Sequence, residues 1–146
     1  MIIVSACLCG ENCKYNGGNN KNDKVLDFIS DKETYFICPE ELGGLSTPRE
    51  PSEMQGNAKE VLYGNARIIS ISGKDVTKEF VDGAYKSLEL AKKVGAKKAI
   101  LKAKSPSCGK GNVYDGSFSG KLVSGNGITA QLFEDNGIMV ISEENL

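Results

Sequence analysis

The chain has 146 residues, 40% hydrophobic and 25% charged, with a net charge of −1 and no histidine. That length buries one core, so residues 1–146 are expected to form a single domain. The near-zero charge argues against duplex nucleic acid as a partner, which would call for clustered Lys and Arg.

No apolar run approaches a bilayer span, and Met1 leads directly into a strand pattern; no membrane segment and no signal peptide are expected, and a cytoplasmic address is implied. In a reducing compartment five cysteines, an odd number, point to metal or catalysis rather than disulfides. The missing histidine removes the usual imidazole base and the usual mixed Cys/His zinc site.

In chain order, the apolar run at residues 2–6 predicts a strand that ends at Cys7. The Gly- and Asn-rich stretch that follows, through Asn20, has no face to bury and predicts a loop across the strand ends. A short helix starts near Asn22 or Asp23, with Val25, Leu26, Phe28 and Ile29 as its apolar side. A second strand at 34–37 runs into Cys38-Pro39-Glu40, and residues 39–51, holding three of the four prolines, predict an irregular surface excursion with a functional role. Residues 66–72 read as a third strand. Asp75 or Thr77 then caps a helix reaching about Val94, with Phe80, Ala84, Leu88 and Ala91 at helical spacing and Gly95 as its stop. A fourth strand at 98–102 opens into Ser105-Pro106-Ser107-Cys108-Gly109. Residues 113–123 suggest a hairpin turning near Asp115-Gly116, and a helix from about 128 to 135 precedes a last strand at 138–141.

Alternating strands and helices imply an α/β fold: a three-layer, Rossmann-like open sheet, mostly parallel, with helices on both faces. Ligands of such sheets lie beyond the carboxyl ends of the strands. Cys7, Cys38 and Cys108 each occupy such an end, far apart in sequence yet able to converge. A buried thiol can equally be a small hydrophobe. A structural zinc site wants paired knuckles, and the only close spacings are Cys7-x-Cys9 and Cys9-x-x-x-Cys13. Dispersed thiolates suit an iron–sulfur cluster, in which three cysteines leave one iron open to substrate. A zinc- or ligand-binding domain without turnover, and a sulfur-transfer enzyme with Cys108 or Cys7 as nucleophile, remain alternatives.

Four separated motifs carry a resemblance. Ser5-Ala6-Cys7-Leu8-Cys9-Gly10, Cys38-Pro39-Glu40-Glu41-Leu42-Gly43-Gly44-Leu45 with Pro48-Arg49, Ser105-Pro106-Ser107-Cys108-Gly109, and Tyr114-Asp115-Gly116 resemble, in the same order, the thiouracil desulfidase (TudS-like) family. The resemblance covers nearly the whole chain. It implies a [4Fe-4S] cluster on Cys7, Cys38 and Cys108, whose open iron takes sulfur from 2-thiouracil or a related thiolated pyrimidine without net redox, leaving uracil and sulfide. The chain departs from the family pattern at Cys9, an apolar position there, and either Cys9 or Cys13 is a further candidate ligand.

Without histidine, acid–base work falls to a carboxylate, and Glu40, two residues beyond Cys38, is the candidate. The resemblance favours Ser105 as a catalytic hydroxyl. Ser107 is a candidate for positioning substrate, and Gly127 with Thr129 opens a helix whose free N–H groups suit a pyrimidine oxygen, although turn satisfaction and ordinary capping explain these residues equally well. Arg49 and Glu53 are expected to pair and brace the proline-rich loop. Tyr15 is a candidate for stacking on a planar ring, with packing of the loop on its own body the stronger reading. The expected partner is a small thiolated pyrimidine, and the chain itself is a monomer or homodimer.

Overall fold

A computed structural model describes residues 1–146. Four parallel strands form the central sheet: β1 (Ile2–Ser5), β2 (Thr34–Ile37), β5 (Lys98–Leu101) and β8 (Met139–Ser142), in the order β2-β1-β5-β8. The apolar residues alternate between its two faces, Ile3 and Ala99 on one side, Val4 and Ile100 on the other, so both faces need a cover. The cover is lopsided. One face packs into a core of 22 buried residues that includes Phe80, Ala84 and Leu88 of α4 (Thr77–Lys93) and Ile128 and Phe133 of α5 (Ile128–Asp135). The other holds only Val4, Leu8, Val25, Ile29 and Ile100, beneath α1 (Asp23–Ile29) and the 3₁₀ turn Ala6–Cys9. The open, mainly parallel sheet between helices is the expected α/β architecture.

Two expectations change. The strand read at 66–72 is shorter, β4 (Ile68–Ser70), and stands outside the central sheet, paired antiparallel with β3 (Ser52–Met54). The excursion at 39–51 opens with a helical turn, α2 (Pro39–Leu42), and stays irregular only beyond it. Pro39 favours that turn because its ring fixes φ at the first helical position, where the missing N–H costs nothing. The capping box Asn57–Glu60 starts a further helix, α3 (Ala58–Leu62), and β6 (Asn112–Tyr114) with β7 (Leu122–Ser124) forms the hairpin expected around Asp115.

Helix α2 lies on α4 at backbone contact. A Cβ on Gly43 would sit 1.8 Å from the carbonyl oxygen of Glu79, and one on Gly83 would sit 2.0 Å from that of Pro39. No side chain fits between the two helices at that point, so the segment that starts at Cys38 is fixed directly to the main helical layer.

Candidate active site at the sheet switch point

The first strand is flanked by β2 on one side and β5 on the other, so the sheet's strand order reverses beside β1. A crevice opens at such a reversal, beyond the carboxyl ends of the strands. The three strands around it are the ones that lead to Cys7, Cys38 and Cys108. All three residues line a single cavity of about 550 Å³, together with Cys13, Glu40 and Ser105. Cys9 is not among its lining residues; it packs beside the smaller core.

The thiols fall into two environments. Cys108 is 4% exposed, and burial pushes its thiol well above the ordinary value; the nearby Glu40 charge adds to that, while a bond to the Ser5 hydroxyl opposes it. Cys7, Cys13 and Cys38 instead share hydrogen bonds. The bond from Cys13 pulls the Cys7 thiol down to about 7, and another from Cys13 lowers Cys38, in each case against burial. Cys13, bonded to Cys38 and Cys7, is pushed up in return. Within this trio the Cys13 and Cys38 sulfurs and a Glu41 carboxylate oxygen lie within 4.8 Å of one another.

The loop bearing Cys7 and Cys13 is closed by its own backbone. The N–H groups of Gly10 and Asn20 donate to the Cys7 carbonyl at 3.3 and 2.9 Å, and that of Asn22 to the Leu8 carbonyl at 2.9 Å. Arg49 ties it to the other strand end. Its guanidinium donates to the Cys13 carbonyl at 2.8 Å and stands 3.5 Å from the Glu40 carboxylate, with both side chains largely buried. Arg49 therefore pairs with Glu40, not with Glu53 as expected. The reason is position: Glu53 lies on β3, where it accepts from the backbone of Gly116 and Phe118. Burial raises the Glu40 carboxyl above its ordinary range, with Arg49 opposing the shift.

The Ser-Pro-Ser-Cys loop divides its two serines. Ser105 lines the cavity, and its Oγ accepts from the N–H groups of Ser107 and Cys108 at 3.0 Å each. Both acceptor positions of that oxygen are thereby occupied, and its own O–H is left to donate. Ser107 points the other way. It is fully buried, and its hydroxyl meets the equally buried Thr129 hydroxyl at 2.7 Å. A Cβ on Gly127 would lie 2.4 Å from the Ser107 carbonyl oxygen, so the start of α5 presses against the back of the loop. Ser107, Gly127 and Thr129 thus stand behind the cavity wall, not on it, and their polar groups are used within the protein. Tyr15 does line the cavity and is 43% exposed. Cys13 and Arg49, both named from the sequence, also line the cavity; Phe118 lines it too and is the one of the three that the sequence did not mark, since nothing local distinguishes it.

The donor set fits an iron–sulfur cluster: thiols from three separate strand ends reach one cavity, none is in a disulfide, and no histidine competes. Comparison with known proteins points the same way. The sequence profile of the 2-thiouracil desulfurase family matches residues 2–145. A Bacillus subtilis (strain 168) protein described as uncharacterized protein YbbK is 48% identical over 147 residues, spanning 100% of this chain and 97% of that one. A solved structure of a [4Fe-4S]-dependent thiouracil desulfidase, TudS, is similar with a TM-score of 0.88 at 41% identity, covering 99% of this chain and 91% of the other.

Proposed function

The chain belongs to the 2-thiouracil desulfurase family, and from that premise we propose that it is a [4Fe-4S]-dependent, non-redox desulfidase that converts 2-thiouracil or a related thiolated pyrimidine, with water, into uracil and sulfide. The observation that carries this reading is the meeting of Cys7, Cys38, Cys108 and Glu40 on one cavity at the sheet switch point. Cys7, Cys38 and Cys108 would hold the cluster. When bound, it supplies an open iron position for the substrate's sulfur.

The chain's own residues manage water and protons. The reaction exchanges a C=S for a C=O, so a water oxygen joins the ring carbon and two protons leave with the sulfur. Glu40 is the group that accepts a proton from that water and passes it on. Its burial strengthens the carboxylate as a base, and the Arg49 guanidinium keeps enough of it ionised to act. Ser105, with its oxygen held by two N–H groups, directs its O–H toward the water or the ring oxygen. Ser107, Gly127 and Thr129 serve as the footing of the loop in place of the substrate contact suggested by sequence.

The test is anaerobic reconstitution with iron and sulfide, followed by assay of sulfide released from 2-thiouracil. Wild type is expected to turn over. Glu40→Gln is expected to keep its iron and visible absorbance and lose at least about a hundredfold in rate, the scale of positioned acid–base catalysis. A reconstituted, cluster-loaded wild type that releases no sulfide from any thiolated pyrimidine would overturn the reading. A second reading, a zinc site without turnover, has the proximity of Cys13, Cys38 and Glu41 in its favour. It would be marked by colourless protein carrying one zinc per chain.

A further inference from the structure

The hairpin β6–β7 belongs to neither face of the central sheet, yet its turn reaches the cavity. Phe118, in that turn, lines it, as does Tyr114 at the end of β6. The backbone of Phe118 is left-handed, with φ 56°. An aromatic residue rarely adopts this conformation, which persists only where the surroundings impose it.

The surroundings here are specific. One oxygen of Glu53, on β3, accepts from the N–H of Gly116 at 2.9 Å and from that of Phe118 at 3.2 Å. Gln55 donates to the Gly116 carbonyl at 2.9 Å. The turn also lies flat on β3, since a Cβ on Gly116 would come within 2.6 Å of the Met54 carbonyl oxygen. Glu53 and Gln55 thus pin both sides of the Gly116 peptide region and the N–H of Phe118, and the left-handed residue at the last of these pins is one that lines the cavity. Tyr15, an exposed aromatic of the wall, is held differently: its carbonyl accepts from the Arg49 N–H at 2.7 Å, and the Lys14 ammonium stands 5.7 Å from its ring centroid.

We propose that Phe118 is a specificity-determining residue, the flat wall on which the substrate's planar pyrimidine ring stacks, and that Glu53 is the positioning residue that holds it there. The inference rests on the desulfidase reading for the identity of the ring, and goes beyond it by naming what selects a flat heterocycle over other thioamides. Stacking needs a π-face and not merely an apolar wall. A ring saturated at C5 and C6 keeps the same N–C(=S)–N edge for the chemistry but is puckered, so it should lose the stacking contact alone.

The experiment uses reconstituted holoprotein and two readouts. The first is equilibrium binding of uracil and 5,6-dihydrouracil, which requires no turnover. Wild type is expected to prefer uracil, and Phe118→Leu, apolar but not flat, to weaken uracil binding about tenfold with little change for dihydrouracil, in line with base–aromatic stacking. Glu53→Gln should show the same loss in part, and Phe118→Tyr should restore it. The second readout is sulfide release from 2-thiouracil against its 5,6-dihydro analogue. Here Phe118→Leu should raise KM for 2-thiouracil about tenfold with kcat changed less than threefold. Equal binding of the planar and puckered rings by wild type, no binding of uracil, or an unchanged preference in folded Phe118→Leu would overturn the proposal. Absence of sulfide release with the binding preference intact would instead count against the desulfidase chemistry and leave the stacking wall standing.

Discussion

The cavity has two walls built on different principles. The Cys108 wall is a tight loop backed by α5, with its thiol buried, its serines bonded inward or to backbone, and main chain against main chain at Gly127. The wall of Cys7 and Cys13 is a polar loop closed by a few backbone bonds, and its thiols are bonded to one another. The first wall holds its sulfur by packing, so its position does not depend on protonation. The second sets its thiols against one another, Cys7 and Cys38 lowered and Cys13 raised, so it responds to pH and to metal. A site that must receive an inorganic group after folding has use for both, one fixed donor and one set able to release a proton as the group arrives.

The largest effect that separates the walls is loss of a thiol. Cys108→Ala is expected to abolish sulfide release and reduce bound iron to background, whereas Cys13→Ala is expected to retain most of its iron; iron and acid-labile sulfide analysis of reconstituted protein reads both. Next comes the backing of the Cys108 loop. Gly127→Ala places a methyl against the Ser107 carbonyl oxygen and should cost about 2–3 kcal/mol in denaturant unfolding, as overpacking does. Thr129→Val should cost about 1–2 kcal/mol by leaving the buried Ser107 hydroxyl without its partner. Combined Ser107→Ala/Thr129→Val should cost less than the two single changes summed, a double-mutant cycle that isolates the bond.

The smallest effect belongs to the other wall and lies in pH. The Cys7 thiol is lowered to about 7 from an ordinary 9.0, mainly by the bond from Cys13. A lowered acid means that the folded state sheds its proton first, so its stabilising share is complete above the ordinary value and is lost as pH falls through about 7. Cluster-free protein should therefore become more heat-stable as pH rises from 7 towards 9. The pH midpoint for alkylation of Cys7 should lie near 7 and move upward in Cys13→Ala. An unchanged midpoint in that variant would dissolve the distinction drawn between the walls.

Much of this was legible in the residues because it rests on local grammar. Short apolar runs ending in cysteine identify strand ends, and alternating strands and helices place those ends along one edge of a sheet. Partner choice was not legible. Residues 68–70 look like any short apolar strand, and only the antiparallel pairing with β3, whose own three residues carry no period, removes them from the central sheet. Arg49 had two acidic candidates within reach along the chain, and the fold chose Glu40 because α2 turns that carboxylate toward the cavity while Glu53 serves the hairpin turn. Ser105 and Ser107 are the same residue type two positions apart, and what separates their fates is Thr129, 22 residues beyond Ser107.

The contact between Gly43 and Gly83 has a consequence for how this cavity can vary. Where helices meet through side chains, a substitution is absorbed by new rotamers and the main chain hardly moves. Here there are no side chains to rearrange, so α2 is carried rigidly by α4. Any tilt or slide of the long helix, whatever distant change in the core causes it, must displace Cys38 and Glu40 together and by the same amount, so the spacing between thiol and acid is inherited from the scaffold and is not adjustable on its own.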